Sequence, residues 1–236
     1  KTGEFLEKIH DIDGAMNTAV AGQLAWHFEE GGCLEKAIQY RQMAGNYALK
    51  LSANEEAAVH FGKALALLAT MPETVERTQQ EIELQLALGA ALLSLKGYGA
   101  QEVQMVYDRA RRLCHLVGTE PQEVTSLFWL SSFYAVRGDL AAALDIARQM
   151  LDITNEAEVE ILYVVMAHIL TGLPLFFMGN LEQALHHIDQ AITAYDPARH
   201  REMAYFIGHD PGISSHIWAG HILLHLGKIK QARTHL

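Results

Sequence analysis

The chain has 236 residues, half of them apolar, with 19% charged residues and a formal charge of −10. That composition supports a large core, and its acidic excess argues against a nucleic-acid binder, which needs Lys and Arg set against phosphates. Cys33 and Cys114 stand far apart with no C-x-x-C pair, so neither a disulfide framework nor a zinc ribbon is indicated and a cytoplasmic setting is expected.

The opening KTGEFLEKIHDIDG is charged throughout and holds no apolar signal core. No window reaches the roughly 18 uninterrupted apolar residues of a membrane span, and ILTGLPLFFMG is broken by Gly172 and Pro174. No membrane partner is expected. The chain opens without Met and stops at ARTHL within a helical pattern, so residues 1–236 are expected to be one domain cut from a longer protein.

Alternating β patterns are scarce, and apolar residues recur at spacings of three and four. In chain order the spacing predicts helices over 15–30, 34–51, 54–70, 73–95, 100–117, 121–137, 139–153, 155–178, 180–195, 211–226 and from 228 onward. The punctuation agrees: Ser52 and Asn54 suit an N-cap, Pro72 and Pro121 stand near helix starts, and Gly138, Gly179 and Gly227 close helices. Pro174 removes one helical N–H and is expected to bend its helix.

A phrase recurs along this string. AWHFEEGGCLEKA runs from Ala25 through Gly32 to Ala37, SSFYAVRGDLAAA from Ser131 through Gly138 to Ala143, GLPLFFMGNLEQA from Gly172 through Gly179 to Ala184, and GHILLHLGKIKQA from Gly220 through Gly227 to Ala232. A weaker copy runs from Gly45 to Ala57 with Ser52 in the Gly place, and another from Gly89 to Val103 holds two extra residues. Small residues at the ends let two helices approach closely, and Gly between them can take the left-handed turn that ends the first helix. Four residues past the closing residue comes a filler, Phe61, Tyr107 or Ile188 among them. These are the positions of a helical hairpin.

The signature resembles the tetratricopeptide repeat, a helix pair of about 34 residues stacked into an α-solenoid. The expected fold is all-α, an α-solenoid of antiparallel hairpins. Closing positions step by 20, 46, 40, 41 and 48 residues, so helix 34–51 is expected to serve two hairpins and the later steps to contain longer helices or insertions. The runs LAWHFEEGGCLEKAIQYRQMAGNYALKLSANEEAAVHFGKALALLATMPET, ELQLALGAALLSLKGYGAQEV and YDPARHREMAYFIGHDPG look like the helical-repeat region of bacterial signalling ATPases of the AAA/STAND type. Those are often fused to a class III adenylate or guanylate cyclase, a Ser/Thr kinase or a LuxR-type or winged-helix regulator. The resemblance implies a sensor or scaffold arm.

No phosphate-binding loop, dinucleotide fingerprint, nucleophile elbow or H-E-x-x-H occurs, so no catalytic residue is assigned and the chain reads as a non-enzyme. His221 and His225 share a helix face but have no evident third ligand, so no metal site and no cofactor are assigned. In a tetratricopeptide stack the inner wall would be formed by Trp26 in the first hairpin, Phe128 and Ala135 in the fourth, Met166, Ile169, Leu173 and Phe176 in the fifth, and Ile217 and His221 in the last. That wall is apolar and lacks the Asn, Lys and Arg of a carboxylate clamp. It suits an amphipathic helix or extended peptide, another domain of the same polypeptide, or a second copy of the chain. The insertion 195–212 is the alternative site, where Asp196, Arg199, His200, Arg201, His209 and Asp210 would meet a polar effector. In a structural reading of the same residues, Asp210 caps the next helix.

Overall fold

The computed structural model describes residues 18–156, 160–200 and 210–235. Every regular element among them is helical: α1 Thr18–Glu30, α2 Leu34–Lys50, α3 Asn54–Leu68, α4 Val75–Lys96, α5 Gln101–Val117, α6 Glu120–Val136, α7 Leu140–Glu156, α8 Ile161–Phe177, α9 Leu181–Ala194, α10 Pro197–His200, α11 Pro211–His225 and α12 Ile229–Ala232. The expected start of the first helix at residue 15 lies outside the described residues. The fold is an all-α, tetratricopeptide-like α-solenoid. Contacts divide the chain into two compact units, Lys1–Thr119 and Glu120–Leu236, where the sequence reading takes 1–236 as one.

The recurring phrase works as its chemistry requires. Gly32, Gly138, Gly179 and Gly227 all have φ between +73° and +83°, and Ser52 makes the same turn at +57° despite its side chain. Ala25, Ala37, Ala57, Ala143, Ala184 and Ala232 are wholly buried. Buried Ser131 donates its hydroxyl to Ala143 O at 3.0 Å, a contact only a small residue permits. Gly220 is buried within α11. The longer Gly89 copy closes through Gly97, φ +80°, before α5 begins.

The fillers occupy the space that the small residues leave. A Cβ on Gly45 would lie 2.6 Å from the Phe61 ring, one on Gly89 2.4 Å from the Tyr107 ring, and one on Gly172 2.9 Å from Ile188. Adding a methyl group to Gly45 gains about 1 kcal/mol of helix propensity but forces a fully buried ring aside, which costs 1–3 kcal/mol or more by the usual scale of overpacking. Gly62, in α3, has nothing within 4 Å of the same atom. Gly45→Ala should therefore lower the urea midpoint of the first unit and Gly62→Ala should raise it, opposite signs for one chemical change.

In the first unit α2 packs on both α1 and α3. Ala37, Tyr40 and Ala44 face Leu24 and Phe28, while Ile38 and Ala48 face Phe61 and Leu84. The short first step in the repeat therefore reflects one helix shared by two hairpins. Two buried charged residues of the first unit are ion-paired: Arg41, 6% exposed, holds Glu29 at 2.9 Å, and Glu81, 7% exposed, accepts from Arg109 Nε at 2.7 Å with Arg77 at 3.4 Å. In the second unit α6 to α9 pack each on the next, α9 packs on α11 and α11 on α12, and Leu144, Leu175, Ala184, Ile188, Ala219 and Ile222 form a common core.

Two boundaries differ from expectation. Helix α7 runs to Glu156 rather than 153, and α8 starts at Ile161 rather than 155. The residues between them in sequence, AEVE, include neither Gly nor Pro, so the sequence carries no punctuation there. The short helix α10 lies where the sequence suggested loop, started by Asp196, whose Oδ1 accepts from Ala198 N at 2.9 Å. Pro174 sits inside α8, which continues to Phe177.

Candidate binding surface

The first helices of the second unit's hairpins, α6, α8 and α11, are neighbours, with α8 touching both others. Helix α6 presents Thr125, Phe128, Ser132 and Ala135, all half-buried. Thr125 donates its hydroxyl to Pro121 O at 2.7 Å and Ser132 to Phe128 O at 2.9 Å. Both donors are spent on their own helix, so the polar letters on this face do not make it a polar surface.

On α8 the predicted residues divide. Met166 and Ile169 are 4% and 3% exposed, packed inside the unit instead of lining a wall, because α8 is covered by α7 and α9 as well as α6 and α11. Leu173 and Phe176 remain half-buried near its end. Helix α11 carries the open apolar stripe: Ile213 is 63% exposed, Ile217 43% and Leu224 43%. Trp26, 52% exposed on α1, belongs to the other unit.

The two helices meet in an aromatic cluster. Phe176 lies 5.7 Å from Trp218 and 5.1 Å from His225, edge-on to the latter, and Trp218 also approaches Phe177 at 5.8 Å and His221 at 5.9 Å. Beside it a hollow of about 250 Å³ is lined by Asp210, Ile213, Ser214, Ile217, Trp218 and His221. Phe176, Ile217 and His221 are thus brought to one place. Trp218 was not singled out, although it stands four residues after Ser214 and three before His221, the spacing that puts it on their face. A second, more open hollow of about 720 Å³ lies in the first unit along Ser52, Asn54, Glu55, Glu56, Val59 and Leu95.

The insertion residues have structural work at both its ends. Asp210 caps α11, accepting from Gly212 N at 2.8 Å and Ile213 N at 3.1 Å, and its other oxygen accepts from the Tyr195 hydroxyl at 2.8 Å. The Tyr195 ring covers Gly212, where a Cβ would meet it at 2.3 Å. Asp196 caps α10. Arg199 and His200 lie on α10, and Arg201 and His209 fall outside the described residues. The Tyr195–Asp210 bond therefore joins the two ends of the insertion.

His225 Nδ1 donates to His221 O at 2.8 Å, which takes it out of a two-point grip with His221 through that nitrogen. Among the described residues no three His, Cys, Asp or Glu side chains converge, and no described helix is long and apolar enough to cross a membrane.

No protein-family model and no curated protein matches this chain. Solved structures do. RapI in its apo form is 14% identical with a TM-score of 0.69, covering 84% of this chain and 67% of its own. The quorum sensor NprR from B. thuringiensis, in its apo form, is 10% identical with a TM-score of 0.68, covering 98% of this chain and 61% of its own. NprR in complex with its cognate peptide NprX is 10% identical with a TM-score of 0.60, covering 99% and 62%. At these identities the likeness shows a shared fold, and the chain spans about three fifths of NprR.

Proposed function

We propose that this chain is a non-catalytic interaction module that binds an apolar or amphipathic protein segment on its second unit, along the exposed face of α11 and the end of α8. The observation that carries this reading is the exposed row Ile213, Ile217 and Leu224 beside the Phe176–Trp218 cluster. Large apolar side chains left open at helical spacing, next to aromatic rings with a polar edge, are what a docked peptide or helix buries. The solved complex of NprR with its cognate peptide NprX lends support, since a similar fold there holds a peptide. On the sequence resemblance the module sits in a signal-transduction polypeptide, and its ligand is a partner segment or a neighbouring domain.

The test uses exposed residues, so that folding is not at stake. Binding of a peptide library should be measured with the wild type and with Ile213→Asp and Ile217→Asp, circular dichroism confirming equal helicity. We expect each charge to weaken the selected peptides at least tenfold, about 1.4 kcal/mol, by desolvation of a carboxylate. Unchanged affinity in folded variants overturns the reading.

A further inference from the structure

The hairpins repeat one pair of positions on facing helices: the residue four before the small position and the residue three after the closing one. In the α6–α7 hairpin these are Leu127 and Ile146, both buried, and in the α1–α2 hairpin Ala21 and Tyr40. In the α8–α9 hairpin they are His168 and His187, with Nδ1 atoms 3.1 Å apart. In the last hairpin, 48 residues on, they are His216 and His235, 3.0 Å apart. The α2–α3 hairpin puts Arg41 and His60 there, both buried. Within the second unit a place that is apolar in the α6–α7 hairpin thus holds paired imidazoles in the other two.

The geometry identifies the link. Ring centres lie 5.4 Å apart in the first pair and 5.2 Å in the second, which exceeds the nitrogen separation by about as much as two imidazole radii allow. The nitrogens therefore lie nearly on the line between ring centres and point at one another. That is the arrangement of an N–H donating to a lone pair, with the two rings in opposite tautomers. A bound metal would instead need both lone pairs to converge on a point off that line.

We propose that the half-buried His168–His187 pair is an acid-labile fastening between α8 and α9: a proton shared by the two Nδ1 atoms holds the crossing, and charging both rings breaks it. A first added proton goes to an Nε2 and leaves the bond in place; a second makes both facing nitrogens donors, and two cations stand in contact. The groups that act on the pair are His186 on α9 and Arg148 on α7, and neither is an anion that would shelter the added charge. Burial first, then His187 and His186, hold His168 down to about 4, and burial, His186 and Arg148 lower His187. An unfolded imidazole takes its proton near 6.5, so the contribution of the pair is complete above that value and is lost as pH falls from it toward 4. If α8 helps to hold a peptide, a point that rests on the proposed function, acid would also loosen that grip.

Two measurements decide the matter without any ligand. Nitrogen-edited NMR at about pH 7.5 should show His168 and His187 in opposite tautomers, one carrying its proton on Nδ1. Proton uptake on urea unfolding at about pH 5 should be larger in wild type than in His168→Leu/His187→Ile, which takes its residues from the α6–α7 hairpin, by about one proton or more. Should that variant fail to fold, His168→Gln keeps a hydrogen-bond partner, removes the ring held down to about 4 and should cut the uptake by about one. Both rings protonated on Nε2, or the same uptake in wild type and variant, would overturn the proposal.

Discussion

Ala184→Leu is expected to destabilise the second unit by about 3 kcal/mol or more, the upper end of the scale for overpacking. Ala184 is wholly buried, and its carbonyl oxygen lies 3.2 Å from where a Cβ on Gly172 would stand. Helices α8 and α9 therefore meet almost backbone to backbone. An isobutyl group has nowhere to go unless the helices part, which would also pull Ile188 from the space above Gly172. The control is Ala141→Leu on exposed α7 surface, expected to stay within about 0.5 kcal/mol. Urea unfolding followed by helicity reads both, and equal midpoints for the two would remove the close-contact account of the repeat.

Glu81→Ala is expected to cost the first unit about 3–5 kcal/mol, the range for breaking a buried pair by deleting one partner. Glu81 accepts from Arg109 at 2.7 Å and faces Arg77 at 3.4 Å. The two arginines respond differently. Arg109 has a side chain 42% exposed and can turn to water, whereas Arg77 is 13% exposed and held by its Nε bond to Leu68 O at 3.2 Å. Arg77 would keep its charge with only Glu73, at 4.0 Å and largely in solvent, as counterion. The double variant Glu81→Met/Arg77→Met should recover much of the loss, since replacing both charges by apolar groups of like volume is often near neutral. A double variant as unstable as the sum of its singles would show that the charges act independently.

How far such features could be read in advance depends on how local they are. Ala37, Ala143, Ala184 and Ala232 were legible because the demand for a small side chain is met at fixed steps along one helix, and Gly32, Gly138, Gly179 and Gly227 because a left-handed turn is a property of one residue. Ser52 was legible only through its place in the phrase. The end of α7 at Glu156 was not, because no Gly or Pro follows it to mark a stop. Of the candidate wall, Ile217, Phe176 and His221 come together, but Met166 and Ile169 do not reach the surface. Their helical face was read as part of an open inner wall; what the pattern did not tell was how completely α7, α9 and the flanking first helices would enclose it. Asp210 illustrates the opposite case, since a carboxylate before Pro and Gly at a helix start is a cap by local chemistry, whatever lies beyond it.

The sequence by itself determined the hairpin, its turn and the small residues at its crossing, because each of these depends on spacing within a helix or on the conformational range of one residue. Tertiary structure decided which side chains meet across helices: His168 with His187, Glu81 with Arg109, Tyr195 with Asp210 and Phe176 with Trp218. Those partnerships depend on the rotation and offset of one packed helix against another. The period of a single helix carries no record of that offset.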